Sequence, residues 1–206
     1  MSSYNVHGFG LGQGRDFQKF LTIELYDLEC FFEKNCMQCR LAKMSDIEFI
    51  MKIYVRARAF MAENGNPHQW GDNDWPPQEL IESDIAKSQC YVCEQAGKIV
   101  GVFVYIFGVD CESDYLTITD GKWFDDSAYG VIHRLATDGI TRGVGSFCIN
   151  WCYEKAGHLR IDTHADNKPM QGLIRKQNFA YCGIIHVEND NYPRLAYEKS
   201  ALTEVP

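Results

Sequence analysis

The sequence predicts a mixed α/β fold in which a mostly antiparallel sheet carries helices on both faces. In the first half of the chain, short β-forming runs are separated by tight turns, which is typical of hairpins. In the second half a strand, a helix and a further strand follow one another at the length of a βαβ crossover. The chain has 206 residues with 46% apolar content, which is enough to bury the core of one domain.

The predicted order of elements from residue 38 onwards is β-α-α-β-β-β-β-α-β-α-β-β. Ser45 and Glu48 have capping-box spacing, so each side chain can satisfy a free backbone donor at the start of the first helix. A tight turn at Gly97 and Lys98 predicts a hairpin over residues 90–108. Other strands are predicted over residues 38–43, 115–119, 129–137, 158–164, 179–187 and 194–199, and helices over residues 45–65, 78–87, 145–157 and 167–177.

Residues 1–36 do not resemble the rest of the chain. Glycines at alternate positions are followed by apolar residues at helical spacing, which predicts a partly helical extension ahead of a domain over residues 37–206. The extension either docks on the domain or on a partner chain, or lies upstream of an internal start at Met37. An apolar helix here, together with an exposed strand at the end of the sheet, is compatible with a homodimer.

Composition and charge exclude several classes of partner. The net charge of −8 argues against a nucleic-acid partner, which normally requires a basic surface. No window approaches the ~18 uninterrupted apolar residues of a membrane helix. The N-terminus lacks the basic-then-apolar pattern of a secretory signal. We therefore expect a soluble, cytoplasmic protein with no membrane partner.

Nine cysteines occur, and two pairs have the CxxC spacing of zinc ligands, Cys36 with Cys39 and Cys90 with Cys93. The second pair lies in a predicted strand, where residues three apart point to opposite faces and cannot reach one ion. In a cytoplasmic protein, reduced thiols are the expected state. We therefore interpret the cysteines as buried free thiols and expect no metal.

A glycine-rich stretch, LATDGITRGVGSFCINW from Leu135 to Trp151, separates an apolar strand from an apolar helical pattern. A P-loop would need a lysine after its last glycine, where Ser146 stands. A dinucleotide fingerprint would need a glycine at Cys148, although Asp162 lies near the spacing of a ribose-binding acid. A third interpretation is a strand that splays from its neighbour and leads into a helix whose first N–H groups face a pyrophosphate. A simple turn is the remaining alternative.

Longer segments carry a family resemblance. VIHRLAT, TRGVGSFCINWCYEKAG, LRIDTHADNKPMQGLIRKQNFAYCGII and RLAYEK resemble the acyl-CoA-binding half of the GNAT N-acetyltransferase superfamily. CRLAKMSDIEFIMKIY resembles that family's opening strand and helix, so the resemblance covers residues 38–199. It implies a GNAT-like fold with a splayed strand, and an N-acetyltransferase that takes acetyl-CoA as its co-substrate.

The resemblance also implies where the cofactor lies. Backbone groups of the splayed strand would pair with the pantetheine arm, and the N–H groups of the glycine loop would hold the pyrophosphate. An asparagine after the next strand and a lysine on the following helix would add contacts. The implied cofactor-binding residues are Leu135, Ala136, Thr137, Arg142, Gly143, Val144, Gly145, Ser146, Asn167 and Lys176.

The sequence departs from the family pattern at three positions. Ile140 stands where the glycine signature usually begins with Gln or Arg, and Asn178 replaces a customary glycine. Ile174 occupies the position at which many members carry the tyrosine that protonates the departing thiolate. The usual general acid is therefore missing from this chain.

Three residues are candidates for acid–base chemistry. His133 lies on the splayed strand and, by period two, would share a face with Leu135 and Thr137. Histidine titrates near neutral pH, and some family members place a base here. Asp162 and His164 share a face of the next strand and could form a second acid–base pair. For all three, structural hydrogen bonding is the alternative.

The segment between the first two helices predicts the acceptor side. Between residues 62 and 84 it carries six acidic residues, no lysine or arginine, and two tryptophans. Carboxylates beside aromatic rings favour a cationic amine, through charge and cation–π attraction. The candidate substrate-binding residues are Trp70, Asp72, Asp74 and Trp75.

We therefore predict transfer of an acetyl group from acetyl-CoA to a small primary amine by direct attack. One alternative is an acyl-CoA-binding sensor without efficient catalysis, which the isoleucine at residue 174 favours. The other is a nicotinamide-dependent oxidoreductase, which rests on Gly143, Gly145 and Asp162 alone.

Overall fold

The computed structural model describes residues 36–188 and 192–201, and the predicted N-terminal extension lies outside these ranges except for Cys36. The described helices and strands account for most of the domain predicted over residues 37–206. No helix in the described ranges combines the length and apolar character that crossing a bilayer would require.

A seven-stranded sheet forms the centre of the fold, in the order β1-β2-β3-β4-β5-β7-β6. Every pair of neighbouring strands is antiparallel except β4 and β5, which run parallel. The sheet is therefore mixed but mostly antiparallel, as predicted. The strands are β1 (Gln38–Leu41), β2 (Cys90–Gln95), β3 (Lys98–Gly108), β4 (Tyr129–Thr137), β5 (Leu159–His164), β6 (Ala180–Ile185) and β7 (Arg194–Lys199).

Helices cover both faces of the sheet, which confirms the predicted fold class. The described helices are α1 (Ile47–Glu63), α2 (Gln78–Ala86), α3 (Val144–Ala156) and α4 (Lys168–Lys176). On one face, Ile50 and Tyr54 of α1 pack with Val102 in one core cluster. On the other, Ile149 of α3 and Ile174 of α4 belong to a second core cluster.

The predicted capping box is wrong. Ser45 lies in a 3-10 turn over Met44–Asp46 ahead of α1. The Asp46 carboxylate accepts the Lys43 backbone N–H at 2.7 Å and pairs with Arg40 at 2.7 Å. Glu48 is exposed and pairs with Lys52 instead. Asp46 directly precedes α1 but makes no side-chain cap to it, because its carboxylate bonds back to Lys43 at the start of the 3-10 turn.

The strand predicted over residues 115–119 is also wrong. A 3-10 turn over Ser113–Tyr115 begins the segment, and Thr119 then makes only an isolated bridge to Ile184. The Tyr115 ring is buried, and its carbonyl accepts the Trp123 indole N–H at 2.8 Å. The segment does not extend into the sheet, because the Tyr115 ring is buried and its carbonyl bonds to a side chain instead of a neighbouring strand.

The last third of β4 carries a bulge at Arg134. The register with β3 shifts here, so that His133 faces Val104 and Ala136 faces Val102. Arg134 has a φ of 53°, its carbonyl accepts the Tyr54 hydroxyl, and its guanidinium pairs with Asp84 at 2.7 Å. These two long-range partners hold a conformation that non-glycine residues seldom adopt.

The prediction that His133 shares a face with Leu135 and Thr137 is wrong because of this bulge. Leu135 packs with Ile132 in the core cluster under α3 and α4. His133 instead pairs with Val104, which belongs to the cluster under α1 and α2. Because the bulge inserts one residue, the strict alternation fails between residues 133 and 135.

β4 and β5 separate soon after they meet. They pair only at Gly130 with Leu159 and at Val131 with Arg160, whereas β4 keeps its β3 partners as far as Thr137. A Cβ on Gly130 would lie 2.7 Å from the Tyr105 ring and 2.8 Å from Leu159, so glycine lets the strands close at this end. Beyond it a wedge opens between the strands, which confirms the predicted splay.

Candidate active site

A cavity of about 1190 Å³ occupies the wedge between β4 and β5. Its lining comes from α1, β4, β5, the glycine loop, the first turns of α4 and the loops after α1 and β3. It therefore brings together most of the residues predicted for cofactor, acceptor and chemistry. The predicted residues that line it are Trp70, Asp72, Trp75, His133, Leu135, Ala136, Thr137, Arg142, Gly145, Asp162, His164 and Asn167.

The glycine loop ends in an open helix N-terminus. Gly143 is the N-cap of α3 with a φ of 82°, and no side chain caps the helix. The N–H groups of the first turn, from Val144 to Ser146, therefore have no partner within the helix, and the helix dipole adds positive potential. Phosphate oxygens are suitable acceptors for such groups.

Two further contacts shape the loop. The Asp138 carboxylate accepts the backbone N–H groups of Ile140 at 3.0 Å and Thr141 at 2.8 Å, which folds the chain back after β4. A Cβ on Gly145 would lie 2.8 Å from a Leu173 methyl group, so glycine allows α3 and α4 to approach at the cavity. The loop is thus held from both sides.

Arg56 is a cation that the sequence analysis missed. Its guanidinium lies beside the loop, within 3.5 Å of the position that a Cβ on Gly139 would take, and it lines the cavity. The predicted Arg142 also lines the cavity and is exposed. Arg56 stands on the third turn of α1, far from the loop in sequence, and no local pattern signals its position.

His133 and Glu112 form a pair on the cavity wall. His133 Nε2 lies 2.6 Å from Glu112 Oε2, and both side chains are less than one-fifth exposed. Burial opposes ionisation of Glu112, but the hydrogen bond and the charges of His133 and Arg134 outweigh it, so the pKa of Glu112 is lowered. A carboxylate only accepts, so in the neutral form of His133 this contact favours the ring proton on Nε2 and the lone pair on Nδ1.

Asp162 has structural partners. The Tyr115 hydroxyl donates to it at 2.8 Å, and Arg194 lies 3.7 Å away. The pKa of Tyr115 is raised well above its usual value, mainly by burial and also by the charge of Asp162. His164 shares the face of Asp162 on β5 and is buried, and its Nδ1 accepts the Asp166 N–H at 3.1 Å. These contacts hold the two side chains in fixed positions at the cavity wall.

The predicted acceptor loop lines the other side of the cavity, except for one residue. Trp70 packs edge-on against Tyr54, with ring centroids 5.8 Å apart. Asp72 lies 3.1 Å from His68. Asp74 does not line the cavity; it is exposed and lies 3.6 Å from Arg58 on the outer side.

Further acidic residues at the cavity come from two loops for which the sequence analysis predicted no role. Glu112 and Asp114 follow β3, and Glu188 follows β6. Burial, with the neighbouring charges of Glu112 and Asp162, raises the pKa of Asp114. The alternating acids in GVDCESD were the available signal, but only the folded chain places that loop beside β4.

Two of the predicted cofactor contacts have other positions or partners. Asn167 is the N-cap of α4: it accepts the Met170 N–H at 3.1 Å and donates to Gln69 at 3.0 Å. Lys176 lies in the last turn of α4 and is exposed, away from the cavity lining. Of the loop residues, Gly143, Val144 and Ser146 do not line the cavity, although their N–H groups lie at the open helix end.

One cavity residue is an unpaired donor. Thr163 Oγ1 is buried and has no hydrogen-bond partner among the described residues. Thr163 lies on β5 two residues after Ile161, facing α3 and α4, past the last residue that pairs with β4. Ile174 is fully buried in that same core, so the position of the customary tyrosine offers no hydroxyl here. Sequence reasoning had no signal for Thr163.

Comparison with known proteins identifies the family. No family profile and no curated protein sequence matches the chain. A GNAT-family acetyltransferase structure from Streptococcus agalactiae is similar at 32% identity, with 80% of this chain and 95% of that chain covered and a TM-score of 0.72. The chain belongs to the GNAT family of acetyltransferases, and it is an acyltransferase.

Two further structures share the fold at lower identity. A GNAT-family acetyltransferase from Listeria monocytogenes is 17% identical, with 79% of this chain and 94% of that chain covered and a TM-score of 0.57. One from Bacillus cereus is 15% identical, with 81% and 98% covered and a TM-score of 0.53. At these identities the likeness shows the fold alone.

Glu112→Gln tests the electrostatic role of the pair with His133. A carboxyl whose pKa is lowered in the folded state stabilises the fold above its usual pKa, and this contribution is lost as the pH falls through the folded value. We expect the variant to lose about 1–3 kcal/mol of unfolding free energy at neutral pH, because a charged hydrogen bond is removed. The two proteins should converge only below the lowered pKa that Glu112 has in the folded state.

Urea denaturation at neutral and at acidic pH measures the difference in unfolding free energy between the two proteins. Glu48→Gln is the matched control, since Glu48 is exposed and pairs only with Lys52. A loss in Glu112→Gln that is equally large at acidic pH would contradict the electrostatic interpretation.

Proposed function

We propose that this protein transfers the acetyl group of acetyl-CoA to a small cationic primary amine by direct attack, without an acyl-enzyme. The observation that carries the proposal is the wedge between β4 and β5, which has an uncapped helix N-terminus at one end. The His133–Glu112 pair lies on its wall. Membership of the GNAT family supports acetyl transfer as the reaction.

The residues of the wedge fit acetyl-CoA. Among the described strands, none pairs with the β5-facing edge of β4 beyond Val131, and its backbone groups suit the amide groups of a pantetheine arm. The open N–H groups of α3, with Arg56 and Arg142 nearby, suit the phosphates. The unpaired Thr163 hydroxyl supplies a further buried donor at the cavity. Bound acetyl-CoA would supply an acyl group already activated as a thioester.

His133 is the proposed base. An amine must lose a proton before or during attack, and a neutral imidazole accepts protons near neutral pH. With Nε2–H donated to Glu112, Nδ1 carries the lone pair that accepts this proton. Glu112 then stabilises the imidazolium, which is the orienting role that a carboxylate has beside a catalytic histidine.

The charges of the cavity favour a cationic acceptor. At the His133 end of the cavity, the acids Glu112, Asp114, Asp162 and Glu188 outnumber the arginines Arg134 and Arg194, whereas Arg56 lies beside the glycine loop. Separated patches of opposite sign attract an anionic cofactor and a cationic amine to different ends. Trp70 and Trp75 add ring faces on the acceptor side.

One observation favours a second candidate, a sensor that binds acyl-CoA without efficient turnover. Ile174 is fully buried, and a member that lacks the customary hydroxyl there can bind the ligand and release thiolate slowly. The dinucleotide alternative is weakened for two reasons. The Asp162 carboxylate already accepts from Tyr115 and lies near Arg194, and Cys148, at the third position of the fingerprint, is buried in the core.

Calorimetric titration with acetyl-CoA, and with NADH for comparison, tests the cofactor. We expect micromolar binding of acetyl-CoA and no binding of NADH. Gly143→Ala should weaken acetyl-CoA binding several-fold, because a φ of 82° strains an alanine where the loop turns into α3.

The matched control is Gly157→Ala at the far end of the same helix. Gly157 also has a positive φ and open space around its Cβ position. It should lose similar stability, about 1 kcal/mol, with unchanged affinity. Binding of NADH alone would return the loop to the dinucleotide interpretation, and binding of neither ligand would remove the cofactor assignment.

His133→Ala tests the base. Steady-state release of CoA with aliphatic diamines as acceptors should fall by about 10²–10⁴-fold at neutral pH, which is the usual contribution of a general base. Acetyl-CoA affinity by calorimetry should stay the same. The loss should shrink as the pH rises, because the amine then arrives unprotonated. An unchanged rate at neutral pH would exclude His133 as the base.

Thr163→Val tests whether the buried Thr163 hydroxyl donates a hydrogen bond to a charged group during the reaction. It removes an unpaired buried hydroxyl at constant shape, so the free energy of unfolding should stay level or rise. Turnover should fall by about tenfold or more, since a hydrogen bond to a charged group contributes about 1.5–3 kcal/mol. Thr163→Ser should retain activity. A valine variant with full turnover would leave this hydroxyl without a catalytic part.

A further inference from the structure

Three thiols that the acyl-transfer site does not use converge between the β1 edge of the sheet and α3. The sulfur atoms of Cys39, Cys93 and Cys148 all lie within 4.8 Å of one another. They come from β1, β2 and α3, so distant segments of the chain meet here. All three are free thiols.

The sheet register produces this convergence. Cys39 and Cys93 stand directly opposite each other in the antiparallel β1–β2 pair, so their side chains point to the same face. That face packs against α3, where Cys148 is fully buried. Cys90 belongs to the core cluster on the opposite face, as the strand spacing predicted. The ligand set is therefore not either of the two CxxC pairs.

The surroundings suit a soft metal ion. Three thiolates are soft ligands, which select Cu⁺ over harder ions. A zinc site of this structural kind needs four protein ligands, whereas the group within the described residues contains only these three sulfur atoms. Val144, Ile149 and Trp151 belong to or pack on the surrounding cluster, which gives the site an apolar shell. Cys39 is only half-buried, which provides an entry path at the edge of the sheet.

We propose that Cys39, Cys93 and Cys148 bind one Cu⁺ ion through three thiolate sulfurs. Binding forms three Cu–S bonds and releases to solvent the protons of the thiols that were protonated; no electron is transferred. The metal joins the edge strand β1 to α3, the helix whose first turn borders the glycine loop. This site does not depend on the acyl-transfer proposal.

Anaerobic competition for Cu⁺ against a coloured copper chelator tests the proposal on the full-length, reduced protein. The wild type should remove one equivalent of Cu⁺ from the chelator and gain several degrees in melting temperature. Cys39→Ser should lose both effects, and because Cys39 is half-buried on an edge strand this variant should still fold. Cys148→Ala should behave in the same way, with circular dichroism to verify its fold.

Three variants serve as matched controls. Cys90→Ala removes a buried thiol of the same strand on the opposite face, and Cys152→Ala removes one from the next turn of the same helix. Cys36→Ser removes an exposed thiol close in sequence to Cys39. All three should keep the wild-type stoichiometry.

The outcomes separate clearly. Failure of the wild type to compete for Cu⁺ would overturn the site, as would full binding by Cys39→Ser. Loss in Cys90→Ala or Cys152→Ala with retention in Cys148→Ala would place the metal elsewhere. Tighter retention of Zn²⁺ than of Cu⁺ would overturn the choice of ion. Acetyl-CoA titration of the same variants is a separate readout, so failure of either proposal is visible by itself.

Discussion

The separation of β4 from β5 is the constraint on which the rest of the structure depends. Two paired positions hold the strands together at Gly130 and Val131, and beyond them each strand has an edge facing the other that no described strand pairs. Free backbone groups inside a protein need partners. Here the fold leaves room for a ligand to supply them, and the glycine loop, α1 and α4 enclose that room. The site is thus a gap in the sheet rather than a pocket added to its surface.

The Arg134 bulge is the second determinant, because it decides which side chains face the gap. Without the extra residue, His133 would lie on the face of Leu135, under α3 and α4. With it, His133 turns towards the loop after β3 and meets Glu112. The Asp84 ion pair and the Tyr54 hydrogen bond maintain the strained backbone of Arg134. Partners on α2 and α1 therefore set the position of the proposed base on β4.

The sequence predicted the parts of this structure that depend on local pattern. Apolar periodicity located the helices and all but one of the strands, and the family segments indicated the splay. The failures have long-range causes. The segment at Tyr115 stays out of the sheet because its ring is buried under Trp123. The bulge follows from contacts with distant helices. The proposed roles of Glu112 and Thr163 depend on tertiary structure, which brings the loop after β3 and the end of β5 to the wedge.

The Asn167–Gln69 hydrogen bond has a consequence for how two substrates would be accommodated. Asn167 caps α4, whose Leu173 contacts the glycine loop, and Gln69 directly precedes Trp70 in the acceptor segment. One amide thus joins the proposed cofactor side of the cavity to the proposed acceptor side. A ligand that orders the first turn of α4 would also restrain the segment around Trp70. The conformational entropy cost of ordering that segment would then be met before an amine binds. Compulsory order of addition, with the nucleotide first, is the kinetic behaviour that such a connection favours.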